Sequence, residues 1–94
     1  MKNYYAVVRR PNYTKPISIN IASENDGKAI DDMYYFAGAT KAEDISEYIL
    51  YEVVGPNRYR PVSYKPAESP PYQYESTGKY TFTEKVYQSY RDAA

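Results

Sequence analysis

The chain has 94 residues, the length of one domain, and a domain this small buries only about 60–65% of the surface its unfolded chain exposes. It contains no Cys and no His, which excludes disulfides, thiol chemistry, Cys/His metal sites and histidine acid–base catalysis. No run of about 18 apolar residues is present and Met1-Lys2-Asn3 leads into no apolar h-region, so neither a membrane span nor a signal peptide is predicted and the composition fits a cytoplasmic protein.

Formal net charge is zero, but the charge is segregated. Residues 1–23 hold Lys2, Arg9, Arg10 and Lys15 and no acid. Residues 24–52 hold eight acids against Lys28 and Lys41, and residues 53–67 return to basic with Arg58, Arg60 and Lys65. A dipolar domain of this kind points to a charged protein partner rather than to nucleic acid, which favours a net basic body. Tyr accounts for 14 residues, against 2 Phe and no Trp. Much of the apolar mass is therefore amphipathic, a ring that packs and a hydroxyl that stays wet.

In chain order, residues 4–9 (YYAVVR) predict a first strand. Residues 10–16 (RPNYTKP) predict a turn region, because Pro11 and Pro16 cannot donate to a ladder. Ile17, Ile19 and Ile21 alternate with Ser18, Asn20 and Ala22, the period of a strand with one face on the core. Ser23 with Asp26 three residues on offers a capping box. Ile30, Met33, Tyr34 and Ala37 then form the stripe of an amphipathic helix stopping at Gly38. Gly27 in the first turn is costly and moves the expected start toward Lys28. Thr40-Lys41-Ala42-Glu43 predicts a second capping box over a single turn. Residues 48–54 (YILYEVV) are β-branched and aromatic and predict a central strand. Gly55-Pro56-Asn57 is a turn, and residues 58–64 (RYRPVSY) a return strand that Pro61 confines to an edge or interrupts. Residues 65–78 are rich in Pro, Ser and Tyr and read as an irregular connection. Residues 80–82 alternate ahead of 83–86, a late strand on one reading. Val86, Tyr87 and Tyr90 equally suit a short helix, so 87–94 is a tail or a helix.

The order ββαββ plus a late strand predicts an α+β fold: one domain over residues 1–94, with a mixed sheet, one helix across it and a ubiquitin-like β-grasp arrangement. The stretch 15–54 resembles a Ras-associating domain. Ile17/Ile19/Ile21 match its alternating second strand, residues 30–38 its helix, residues 43–48 its acidic link, and Leu50-Tyr51-Glu52-Val53 its following strand. Arg60-Pro61-Val62, Glu68-Ser69-Pro70-Pro71 and residues 80–85 are similar to its later elements. The resemblance implies a non-enzymatic module, without cofactor or small-molecule substrate, that binds a GTP-loaded Ras-family GTPase by strand addition at the second strand. Carried onto this sequence, the partner-binding residues are Arg9, Arg10, Lys15 and Lys28, with Ser18 and Asn20 facing outward. Asp31, Asp32, Tyr35 and Phe36 stand where the family often has further basic residues.

Tyr35 and Phe36 are adjacent, so at least one leaves the apolar stripe and is a candidate contact. Asp31-Asp32 read as a solvated helix face, with no His, Cys or third acid to build a metal or catalytic site. Tyr72, Tyr74 and Tyr80, with Arg58 and Arg60, fit packing better than base stacking. Glu52 is expected at solvent or beside a basic neighbour. Two alternatives stay open: a scaffold lobe that packs against neighbouring domains, as the first lobe of a FERM module does, and a small freestanding inhibitor of the kind phages encode.

Overall fold

Tyr4, Tyr5, Val7 and Val8 are aromatic and β-branched side chains that favour extended backbone, and the computed structural model places them in strand β1, Lys2–Arg9. The structure describes residues 1–11, 13 and 15–66. Strand β2 is Ile17–Ser23, helix α1 is Asp26–Phe36, and a single 3-10 turn, Ala42–Asp44, leads into β3, Glu47–Gly55, and β4, Arg58–Lys65. Among the described residues no helix is long and apolar enough to cross a membrane. The expected late strand and C-terminal helix or tail, and the connection beyond Pro66, lie outside the described residues.

The order of elements is the one the sequence predicts, and the chain folds as a small α+β domain with one helix on a four-stranded sheet. The sheet itself differs from the expectation. Its order is β2-β1-β3-β4, and every neighbouring pair is antiparallel. A mixed β-grasp sheet needs a parallel neighbour. Here β1 has antiparallel partners on both sides, with Lys2↔Ser23 to Val8↔Ile17 on one and Asn3↔Val53 to Arg9↔Glu47 on the other. Both of its hydrogen-bonding edges are used, and the arrangement is not the ubiquitin sheet.

Register sorts the side chains onto two faces. Tyr4, Ala6 and Val8 of β1, Ile19 and Ile21 of β2, and Tyr48 and Leu50 of β3 face the helix and meet Ala29, Met33 and Ala37. The helix packs chiefly on β2. Its buried line is Ala29, Met33 and Ala37, and Ile30 and Tyr34 flank it, so the stripe is rotated by about one residue from the predicted one. Met33 is at the centre of this line, with the smaller Ala29 and Ala37 on either side. On the β2 stripe, Ile21 is buried and Ile19 is half-buried. Ile17, however, is 46% exposed, because it lies at the start of the outermost strand. The opposite face of the sheet carries a second set of buried side chains, Val7, Glu47, Ile49 and Tyr51.

The helix start is set by Asn25, whose Oδ1 accepts the Lys28 backbone N–H at 2.9 Å. Ser23, the expected cap, is buried at the end of β2 opposite Lys2, and Gly27 is tolerated inside the first turn. The helix stop is as predicted. Gly38 takes φ 75°, its N–H donates to the Tyr35 carbonyl at 3.1 Å, and the Ala39 N–H donates to the Tyr34 carbonyl at 2.9 Å. These two bonds make a Schellman motif. In the link, the capping carboxylate is Asp44 rather than Glu43. It accepts from the Thr40 N–H at 2.9 Å, the Thr40 hydroxyl at 3.0 Å and the Lys41 N–H at 3.3 Å. These bonds hold the Asp44 carboxyl below its usual range. Pro56-Asn57 turns β3 into β4, with Asn57 at φ 55° supplying the left-handed position.

Candidate interaction surface

The predicted contact residues are positioned by the first hairpin and the helix. Arg9 ends β1 on the face away from the helix. Its Nε donates to Glu47 Oε1 at 2.8 Å and its Nη1 to the Tyr13 carbonyl at 3.0 Å. Its own carbonyl accepts the Ser46 N–H at 2.8 Å. Glu47 is fully buried, and a buried carboxylate is stable only when its charge is met. Arg9 is thereby committed to the interior of the fold.

Arg10, one residue on, turns the other way. Its Nη1 lies 3.4 Å from the position that a Cβ on Gly38 would occupy. The last turn of α1 has no basic residue of its own, so the Arg10 guanidinium supplies the cation that the negative end of the helix favours. Its Nε is buried with no hydrogen-bond partner.

Lys15 is exposed in the β1–β2 loop, whereas Lys28 is exposed in the first turn of the helix, beyond the far end of β2. Lys28 Nζ pairs with Glu24 at 3.0 Å, one helical turn back. The four predicted cations therefore do not gather in one patch. Ser18 and Asn20 do come together, both exposed on the face of β2 away from the helix, where the Tyr5 hydroxyl donates to Ser18 Oγ at 3.0 Å. Tyr35 and Phe36 are 77% and 58% exposed and touch edge to face, with centroids 5.5 Å apart. Asp31 is exposed and Asp32 half-exposed on the helix, and among the described residues no group of acids is arranged to hold a metal ion. Asp31 lines a shallow hollow of about 330 Å³ with Tyr34, Thr40, Lys41 and Ala42.

Among the described residues the sheet has two edges, and they differ in kind. β4 carries Pro61, the extra residue Val62 opposite the Leu50/Tyr51 step, and the charges of Arg58, Arg60 and Lys65. Proline, bulges and charge are the features that blunt an edge strand against further pairing. β2 has none of them: ISINIAS is uncharged, free of Pro and Gly, and in register with β1 over its whole length. Ile17, Ser18, Asn20 and Ala22 are exposed along it.

A polar network that sequence reasoning found only in part closes the other end of the sheet. Arg60 donates through Nε to Glu52 at 2.8 Å and through Nη2 to both Asp26 oxygens at 2.8 and 2.9 Å. The Tyr4 hydroxyl donates to Asp26 Oδ1 at 2.8 Å. Arg60, then Tyr4, hold the Asp26 carboxyl below its usual range, while burial, then Asp26, push the Tyr4 hydroxyl up to about 12. Glu52 and Arg60 are register partners across the β3–β4 turn, which is the basic neighbour expected for Glu52. Nothing local in the sequence marks Asp26 as the third member.

In comparison with known proteins, no family model, no curated protein and no solved structure matches this chain.

Proposed function

We propose that this chain is a non-enzymatic protein-binding module that accepts an extended segment of a partner along β2. The observation that carries the reading is the contrast between the two edge strands: β4 is blunted by Pro61, a bulge and three cations, and β2 is a regular, uncharged edge strand with exposed side chains. An edge of that kind offers main-chain hydrogen bonds for affinity and alternate side chains for selectivity.

The partner that the resemblance suggests is a Ras-family GTPase in its GTP-bound state, approached through this same edge. Support for it comes from the order of elements through β3, from Ser18 and Asn20 standing outward on β2, and from Lys15 in the loop two residues before that strand. Arg9, spent on Glu47, contributes little to such a contact. The test is titration of the chain against a panel of small GTPases, each loaded with a GTP analogue or with GDP. The expected result is saturable binding to one GTP-loaded member, weakened roughly tenfold by Asn20→Lys. Equal or absent binding in both nucleotide states removes the GTPase. Strand capture itself falls if peptides selected against the chain from a displayed library bind Ser18→Lys and Asn20→Lys as well as they bind the original.

A further inference from the structure

We infer that the face of the sheet away from the helix is covered by this chain's own C-terminal segment, residues 67–94, which makes the domain three layers deep rather than two. The inference stands apart from the reading of β2 as a binding edge.

The observation behind it is a burial that the described elements do not explain. β1 and β3 are the two inner strands, and Val7 and Ile49 stand opposite each other on them, on the side away from the helix. Both are 0% exposed, and Tyr51 beside them is 6% exposed. An antiparallel sheet covered on one face alternates buried and open residues along each strand. β3 does not alternate: Glu47, Tyr48, Ile49, Leu50 and Tyr51 are buried in succession. Ala6, Val7 and Val8 of β1 are buried in succession as well. Unbroken burial of this kind belongs to strands packed on both faces. Tall neighbours do not explain it, because Tyr51 is itself buried and Tyr5 and Tyr64 are half-buried.

Among the described residues, α1 packs on the opposite face. The β1–β2 loop meets this face at its Arg9–Glu47 end, where the Tyr13 carbonyl accepts from Arg9 Nη1 at 3.0 Å. No other described helix or strand is left to lie over Ile49 and Tyr51. The burial is a property of a single chain, which excludes a second copy or a foreign protein as its cause. Residues 67–94 are the part of the chain that remains.

Position and composition agree with that assignment. The segment follows β4, the neighbour of β3. Ile49 and Val7 therefore lie one and two strand spacings from β4, about 5 and 10 Å. Tyr5, Tyr51, Tyr59 and Tyr64 share this face by register. Tyr51 and Tyr59 meet edge to face with centroids 6.2 Å apart, and all four tyrosines have polar or ring partners. In the segment, Tyr80, Phe82, Val86, Tyr87 and Tyr90 are aromatic or β-branched. Such side chains suit a face paved with tyrosine, since rings pack edge to face while the hydroxyls keep polar partners. A partner protein is thereby left the β2 edge and the outer side of α1, and not this face.

The first test uses the unaltered chain. With Val and Ile methyl groups labelled, nuclear Overhauser contacts are expected from Val7 and Ile49 to ring protons of residues 67–94. In a sample mixing labelled and unlabelled copies, those contacts are expected within one chain. Val7 and Ile49 methyl groups that meet only residues 1–66, or that meet residues 67–94 of a second copy, overturn the inference. A second measurement uses the absence of Cys from the chain. Ile49→Cys, on this face, is expected to react slowly with a water-soluble disulfide reagent. Adding Phe82→Ser, Val86→Ser and Tyr90→Ser is expected to speed that reaction at least about tenfold, because the rate tracks opening of the cover. Leu50→Cys, under the helix, is expected to keep its rate. An Ile49→Cys rate that the three substitutions leave unchanged overturns the inference.

Discussion

Arg9 and Glu47 stand opposite each other across the β1–β3 ladder, and the Arg9 Nε to Glu47 Oε1 distance is 2.8 Å. The Glu47 side chain is wholly buried and that of Arg9 is 14% exposed. The cation is thus the lid of a buried carboxylate. Arg9→Met is expected to destabilise the domain by about 3 kcal/mol, because it takes the Arg9 cation away from a buried carboxylate. Adding Glu47→Leu is expected to recover part of that loss, a non-additivity that urea titration of the two single variants and the double variant will measure. Lys28→Ala, which removes an exposed pair with Glu24, is expected to change stability by less than about 0.5 kcal/mol.

Gly38 is required by its φ of 75°; a Cβ there would make only an ordinary contact with the Arg10 guanidinium at 3.4 Å. Gly38→Ala is expected to cost about 1–2 kcal/mol from the left-handed backbone alone. Gly38→Asn is expected to cost less, since Asn tolerates that region. Thermal melts of the two variants give the order.

The Tyr4–Asp26–Arg60 network makes stability depend on pH at both ends of the scale. Asp26 titrates below its ordinary value of 3.8 in the folded chain. Its contribution is therefore present above that value and is lost as pH falls through the folded pKa. Tyr4 moves the other way, from 10.0 to about 12. Its contribution is present below about pH 10 and is lost as pH rises through the folded value near 12. Asp26→Asn is expected to flatten the acid limb of a stability–pH curve, and Tyr4→Phe the alkaline limb. Denaturant midpoints measured across the range check both.

Tyr35 and Phe36 lie outside the core. Tyr35→Ser and Phe36→Ser are expected to leave the isolated chain within about 0.5 kcal/mol of the original. A larger loss inside a multidomain protein would support the scaffold alternative, and comparing the melting of the two forms separates the cases.

What the sequence makes legible follows from how local each signal is. The β1–β2 and β3–β4 hairpins, the helix and its stop at Gly38 are written in neighbouring residues: alternation at 17–21, Pro56-Asn57 at the turn, a glycine after an apolar stripe. Caps misled by one or two positions, because Ser23, Asn25, Glu43 and Asp44 all have capping chemistry and only the tertiary position of β2 and of the link decides which is used. The direct pairing of β1 with β3 joins residues such as Arg9 and Glu47, separated by 38 positions. The order of elements suggested a mixed sheet, but no local pattern specifies which strands become neighbours. The same distance hid the contact surface: a cation on β1 reads as available until its opposite number on β3 is known to be a buried acid.

The place of β1 between β2 and β3 bears on how the chain assembles. The first hairpin closes over a seven-residue loop and can form early, yet it leaves one side of β1 without its permanent neighbour until β3 has been made. Joining them requires closure of a loop that contains the whole helix, and contacts of that span set the pace of folding in small domains. Although β1 precedes the other described elements in the chain, it is completed only after β3, the fifth of them, is available. Mutations at Ala6, Val7 and Leu50 should accordingly change the rate of folding as well as its equilibrium.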